Sequence, residues 1–424
     1  MKIFSLAAIF GLSLALISCQ SNDSLRPAAR SGSPKVAILL PLTGKDAALG
    51  KALLNSAQMA VLDEGGADFV LIVKDTNQTG GVAQALQDAV KEGARLVIGP
   101  VFAAQVREVA PIAQAKGVQI ISFSNDETLT SQGVFVGGLT LPQQINRVIS
   151  YSSTQGIKRI ALLLPDNTYG RVVESSAIKS ADATGVEIFQ TEFYNPANTN
   201  FSETVKRLGP GDPVPLLDEN TETDPGNSES DLTENSDNTD IIEEQQISDN
   251  NPPPAWMPPY KPVKVVNYQA LLIAEGGEKL ITLSSLAPYH GIDTTQVKLL
   301  GTNLWDAPAL RKETSLLGGW YPSYSSEAHD SFEKRYRENF KESPNRLAAT
   351  VYDIVVFVTR LGGKPGADFS RNAIIGFGEM NGVNGIFRFL PDGIAEYGLT
   401  VYEIQRQRLL VKDPAPSTLM PLTN

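Results

Sequence analysis

A hydroxyl, an amide and a carboxylate stand side by side at Ser124-Asn125-Asp126, just after the apolar run that ends at Ile121-Ser122. Such a trio at a strand end donates to a small polar ligand or caps the next helix, and one loop can do both. Asp126 repels a carboxylate there, whereas it accepts from an amine or a sugar hydroxyl. Glu275 ends another apolar run in the turn Glu275-Gly276-Gly277; the placement suits an amine partner, and equally a solvated loop carboxylate. Thr43 and Gly44 open a helical stretch whose backbone N–H groups suit an anion. Trp305 and the pair Trp320-Tyr321 fall on loops at expected strand ends, where exposed rings would stack on a sugar or peptide. Core anchoring is the commoner fate of tryptophan.

These are residues of recognition rather than of bond making. The sequence holds no Gly-x-Ser-x-Gly elbow, no Walker loop and no dinucleotide glycine fingerprint. Its two histidines, His290 and His329, lie in separate contexts, so neither a histidine metal cluster nor a Ser-His-Asp site is expected. No pair of carboxylates stands out as a general acid and base. The expectation is a protein without catalysis, cofactor or metal.

The elements that must position these residues repeat. Ala37-Ile38-Leu39-Leu40-Pro41 returns as Ala161-Leu162-Leu163-Leu164-Pro165, each copy running into a polar loop and a helix-like segment. Short apolar runs closed by a turn signal read as buried parallel strands feeding βα crossovers. Strands are expected at Val36–Leu40, 69–73, Leu96–Ile98 and Gln119–Ser122, with helices over Ala47–Asp63, Val82–Glu92 and Ala103–Lys116. The pattern restarts with a helix over Gln143–Ser153, the second Leu-Pro strand, a helix over Gly170–Thr184 and a strand over Glu187–Thr191. Ala270–Ala274 and Val297–Leu300 add strands, Ser331–Phe340 and Leu347–Arg360 helices. Gly385–Phe389, Pro391-Asp392-Gly393 and Leu399–Ile404 read as a β-hairpin with an Asp-Gly turn. Two α/β lobes on one plan imply a cleft between them, the natural place for a ligand.

Two stretches stand apart. Lys2 followed by the apolar Ile3–Ile17 is a signal-like segment, and Leu16-Ile17-Ser18-Cys19 resembles a bacterial lipobox. Residues 1–18 are then a signal peptide, Cys19 the lipidation site and sole cysteine, and 19–34 a tether to a membrane. The run is short for a transmembrane helix. Gln20 resembles an outer-membrane sorting address. Between Gly211 and Asn251 there are 13 carboxylates and no Lys or Arg, so removing them takes the formal charge from −11 to +2. Residues 209–262 read as a disordered acidic insert with too little apolar area to offset chain entropy. The rest of the chain lacks the basic face a nucleic acid would need.

In order and spacing, Leu40-Pro41-Leu42-Thr43-Gly44 with Gly50, Ile98-Gly99-Pro100, Ala110-Pro111, Ile121-Ser122, Tyr169-Gly170 and Tyr352-Asp353 resemble the type I periplasmic binding proteins of the leucine/isoleucine/valine-binding branch. The resemblance runs from Lys35 to Glu403 outside the acidic insert. It implies two doubly wound Rossmann-like lobes joined by a three-crossover hinge and a C-terminal β-hairpin, with lobe one at 34–140 plus 318–377 and lobe two at 141–317 plus 378–412. It implies an amino acid or similar metabolite closed upon by the lobes and delivered to a transporter or sensor in the periplasm. In amino-acid-binding members a small hydroxyl holds the ligand carboxylate; here that position falls at Ala103 or Ala104, which have none. Tyr169 matches the family's cleft aromatic. A second set, Glu275-Gly276-Gly277, Leu299–Trp305, Gly318-Gly319-Trp320-Tyr321 and Gly385–Phe389, resembles the lipoproteins named penicillin-binding protein activators. That resemblance implies a peptidoglycan synthase as partner and a muropeptide among the ligands.

Overall fold

The computed structural model describes residues 33–65, 70–210, 265–363 and 367–420. Cys19, the tether as far as residue 32 and residues 211–262 of the expected insert lie outside the described residues.

The chain begins β1 (Lys35–Leu40), α1 (Ala47–Asp63), β2 (Val70–Asp75), α2 (Gly81–Lys91), β3 (Ala94–Ile98), α3 (Ala103–Ala115), β4 (Gln119–Ser122), β5 (Phe135–Val136) and α4 (Leu141–Thr154). It continues through β6 (Arg159–Pro165), α5 (Thr168–Thr184), β7 (Glu187–Tyr194), α6 (Ser202–Leu208), β8 (Ala270–Ile273), α7 (Gly277–Tyr289), β9 (Lys298–Leu300) and β10 (Trp320–Ser323). The last elements are α8 (Ser326–Phe340), α9 (Ala348–Gly362), α10 (Arg371–Gly376), β11 (Met380–Gly382), β12 (Gly385–Phe389), β13 (Ala395–Tyr397), β14 (Thr400–Gln405) and β15 (Arg408–Asp413).

Two compact units result. The first gathers the described residues up to Gln143, Tyr324–Leu399 and those from Pro414 onward; the second holds Gln144–Ser323 and Thr400–Asp413. In the first unit a parallel sheet runs β2-β1-β3-β4-β5. Val36, Ile38 and Leu40 of β1 pack into the core formed with α1 and α9, while Ala37 and Leu39 pack on the opposite face against α2 and α3. With both faces covered, β1 reads as an unbroken apolar run rather than an alternating one. Burying each such side chain is worth about 1.5–3 kcal/mol.

In the second unit the sheet order is β15-β14-β10-β9-β8-β6-β7. Its parallel part, β7-β6-β8-β9-β10, repeats the order second, first, third, fourth, fifth seen in the first unit, so the sequence repeat is a repeat of topology. The two Leu-Pro turns also explain two glycines. A Cβ at Gly50 would lie 2.1 Å from the Pro41 carbonyl oxygen, and one at Gly170 would lie 1.9 Å from that of Pro165. Each helix therefore sits directly on the proline carbonyl that ends its strand.

Four expectations change. The Asp392-Gly393 turn forms, but its second strand is β13; Thr400–Gln405 leaves to pair with β10 and β15 in the second unit's sheet. Residues 378–399, expected in the second lobe, pack in the first unit, where Phe389 meets Phe357 edge-on at 5.2 Å. Residues 318–323, expected in the first lobe, include β10 of the second unit's sheet. Trp320 and Tyr321 lie in β10 rather than on a loop. In the first unit the sheet β11-β12-β13 is fastened to α9 by Asp353, whose buried carboxylate accepts the N–H groups of Val383 at 2.6 Å and Asn384 at 2.9 Å.

Candidate functional site

Each parallel sheet has a point where its strand order reverses, and there the loops after neighbouring strands leave toward opposite faces and open a crevice. In the first unit that point lies between β1 and β3. Thr43 and Gly44 sit in the loop after β1, Ala103 opens α3 after β3, and Ser124–Asp126 follow β4. The donors of the β1 loop turn inward. The Thr43 hydroxyl donates to Asp75 at 2.6 Å, and the Leu42 N–H donates to the other oxygen of the same carboxylate at 2.9 Å. Burial is the largest single influence and raises the Asp75 carboxyl, but the Thr43 hydroxyl and the N–H groups of Asn77, Leu42 and Thr43 together outweigh it and hold it below its ordinary range.

The next loop is organised the same way. Ser122 Oγ accepts the Ser124 N–H at 3.0 Å, Ser124 Oγ accepts the Asp126 N–H at 3.1 Å, and Asp126 caps the following turn through the Thr128 N–H at 3.0 Å. Arg107 pairs with the second Asp126 oxygen. Burial raises the Asp126 carboxyl, and bonds from Thr128 and Arg107 lower it by more. Asp126 is thus a capping residue with a guanidinium partner, and Asn125 beside it is exposed. Ala103 supplies only backbone: its helix begins after Phe102 with no side-chain cap.

In the second unit the reversal lies between β6 and β8, and there the structure brings two expected residues to one rim. Tyr169 stands in the first turn of α5, set by Asn167, whose side-chain oxygen accepts the Gly170 N–H at 3.0 Å. Its phenol lies 3.4 Å from the hydroxyl of buried Thr302 after β9. Half-buried Glu275, following β8, accepts the Tyr194 phenol at 2.5 Å and its neighbour's Gly276 N–H at 3.1 Å. Burial, then the bond to Glu275 and its charge, push the Tyr194 phenol far above its ordinary value, and Tyr169 adds to the effect. Tyr194 therefore stays a donor to Glu275. A carboxylate offers about four acceptor positions, so two bonds leave Glu275 capacity for an incoming ammonium.

Trp305 does not join this rim as a stacking platform. It is fully buried in the second unit's core, tilted against Tyr321 at 6.5 Å, with Gly301 and Gly319 leaving room for its ring. Trp320 and Tyr321 are buried too; Trp320 donates its indole N–H to Glu403 at 2.9 Å. Core anchoring prevails because loops rich in glycine admit large rings beneath them.

Asp75, Ser122, Tyr194 and Thr302 carry the two rims as much as the expected residues do. All four occupy or directly follow a strand's carboxyl end, and that position was their one signal in the sequence. His290 is spent on Ser202 at 2.8 Å and His329 on Asn384 at 3.1 Å. Among the described residues no group of three or more His, Cys, Asp or Glu is placed to hold a metal ion.

Each unit's sheet order belongs to a fold shared with solved ABC transporter substrate-binding proteins. Residues 33–212 match the family model described as periplasmic binding protein. A branched-chain amino acid ABC transporter structure from Rhodospirillum rubrum superimposes with a TM-score of 0.70 at 15% identity, covering 89% of this chain and 99% of the other. LivJ from Streptococcus pneumoniae, solved with isoleucine, gives 0.56 at 17% identity over 91% of this chain and 100% of its own. Among curated proteins, an uncharacterized Rickettsia prowazekii protein is 24% identical over 198 residues, 46% of this chain and 53% of its own length. The penicillin-binding protein activator LpoA of Vibrio cholerae is 28% identical over 149 residues, 33% of this chain and 24% of its own. The match thus spans about half of the first relative and a quarter of the second.

Proposed function

We propose that this chain is a non-catalytic, lipid-anchored envelope protein facing the periplasm, tethered to the outer membrane through Cys19, that binds a small polar ligand for transport or sensing. The ligand class is an amino acid or a similar amine-bearing metabolite. The observation that carries the reading is the second unit's rim, where Glu275 keeps open acceptor capacity beside the phenol of Tyr169. A buried ammonium needs such a partner. The substrate-binding fold, and the amino-acid ligands named for LivJ and its kin, support the same class.

A second reading, an accessory regulator of a peptidoglycan synthase, is favoured by the local identity to LpoA and by the missing hydroxyl at Ala103. Thermal unfolding of the full chain against amino acids, sugars and muropeptides separates the two. A ligand at a hundredfold its Kd adds about 2.7 kcal/mol of stability. No shift with any compound, together with co-purification of a synthase, sinks the ligand-binding reading in favour of the second.

A further inference from the structure

The second unit's sheet ends in β7 on one side and β15 on the other, and the two edges are finished differently. At β7 the following helix is tied to the strand: the Gln190 amide donates to the Arg207 carbonyl of α6 at 3.0 Å, and Arg207 pairs with Glu192 at 2.6 Å. Beside β15 no further strand pairs among the described residues. An edge left open in this way presents a row of N–H and C=O groups ready to pair with another chain. The strand is also exposed along most of its length, Leu410 at 38% and Val411 at 48%.

β15 is held in place from its inner side. β14 pairs with it from Gln405 opposite Arg408 to Val401 opposite Asp413, and Arg147 of α4 pairs with Asp413 at 2.7 Å. The register sorts its side chains. Leu409 and Val411 stand opposite Ile404 and Tyr402, on the face that closes the unit's core. Arg408 and Leu410 stand opposite Gln405 and Glu403 on the other face. Lys412, the extra residue of a bulge before Asp413, reaches that same side at 3.8 Å from Glu403. Arg408 bonds the neutral Gln405 at 2.9 Å, and among the described residues its charge has no carboxylate.

We propose that the outer edge of β15 is a strand-addition surface for an extended peptide of another protein in which acidic and apolar residues alternate. Residues directly opposite in neighbouring strands share a face. One side of the incoming strand therefore meets Leu409 and Val411, and the other meets Arg408 and Lys412. The first calls for valine-like side chains, the second for carboxylates. A second copy of this chain fits worse. Two-fold pairing centred on Leu410 sets Arg408 of one copy across from Lys412 of the other, and like charges directly opposite destabilise a ladder. A lysine and a bulge protect an edge against indiscriminate pairing; here they leave Leu409–Val411 regular and open, so the same cations that repel a like strand select an acidic one. The surface works independently of any ligand held at Tyr169 and Glu275.

Fluorescence anisotropy of the full chain with a labelled peptide of four Glu-Val repeats tests this. The peptide should bind at least tenfold more tightly than four Lys-Val repeats, and than four glutamates followed by four valines. N-methylation of its backbone nitrogens should abolish binding, because main-chain hydrogen bonds carry strand addition. Hydrogen exchange read by mass spectrometry should slow at 408–412 when the peptide binds. Arg408→Glu/Lys412→Glu should weaken Glu-Val binding at least tenfold and strengthen Lys-Val binding. Should that variant melt below wild type, Arg408→Glu alone, which gives up the bond to Gln405, reads the same reversal. Equal affinity for the two repeats, binding that survives N-methylation, or exchange slowed only outside β15 would overturn the proposal. Sedimentation showing a dimer of the full chain with 408–412 protected in it would overturn it in favour of a second copy.

Discussion

At the scale of single residues, the two rims differ in what they leave available. Asp75 consumes the donors around Thr43, and Asp126 is taken by Thr128 and Arg107, whereas Glu275 retains acceptor positions. Glu275→Gln keeps the shape and removes the charge. For an amine-bearing ligand the loss of a charge-assisted bond, about 1.5–3 kcal/mol, predicts binding roughly 10- to 100-fold weaker by calorimetry; an unchanged Kd would remove Glu275 from the site. Asp353 makes a second residue-level prediction. Burial lifts its carboxyl to about 7 from 3.8, and the N–H groups of Asn384 and Val383 and the charge of Arg360 only partly oppose this. Protons bind it more tightly folded than unfolded, so its contribution is complete below pH 3.8 and is lost as pH rises through about 7. Between about pH 4 and 7, wild type should therefore lose melting temperature relative to the uncharged Asp353→Asn. A gap between the two that stays constant across that range would contradict the assignment.

At the scale of elements, the strand–helix alternation was legible because buried parallel strands and glycine-stopped helices leave strong local signals. Val36–Leu40 and Ala47–Asp63 match the observed β1 and α1 almost residue for residue. What was not legible was partnership. Leu399–Ile404 has a strand's composition, but nothing local says whether it pairs back on Gly385–Phe389 or leaves for β10 and β15. Trp305 misled for a related reason: a ring in a glycine-rich loop looks exposed until the glycines prove to be the space it fills. At the rims, residue types at strand ends marked Tyr169 and Glu275, while Tyr194 and Thr302 needed the sheet order before they could be placed. Gly170 tests the helix-on-carbonyl contact. Gly170→Ala places a methyl group where only 1.9 Å is open, and overpacking of about 1–3 kcal/mol should lower the melting temperature by about 3–10 °C. A variant melting with wild type would show that α5 slides off Pro165 at no cost.

At the scale of the whole chain, the proposed anchoring through Cys19 is open to a direct test. If Cys19 carries the lipid, Cys19→Ala shifts the protein from the membrane fraction to the soluble fraction on ultracentrifugation, and retention in membranes would refute lipid anchoring. Among the described residues no helix is long and apolar enough to cross a membrane. The first unit, meanwhile, is written in the chain as separated pieces: its sheet is finished by β5, but α9 and β12, which cover one face of that sheet, arrive only after Ser323. During synthesis at about 5–20 residues per second, the roughly 180 intervening residues take on the order of 10–40 s. Through that interval Val36, Ile38 and Leu40 have no finished core to enter, and a nascent chain with such a face bare is prone to aggregate.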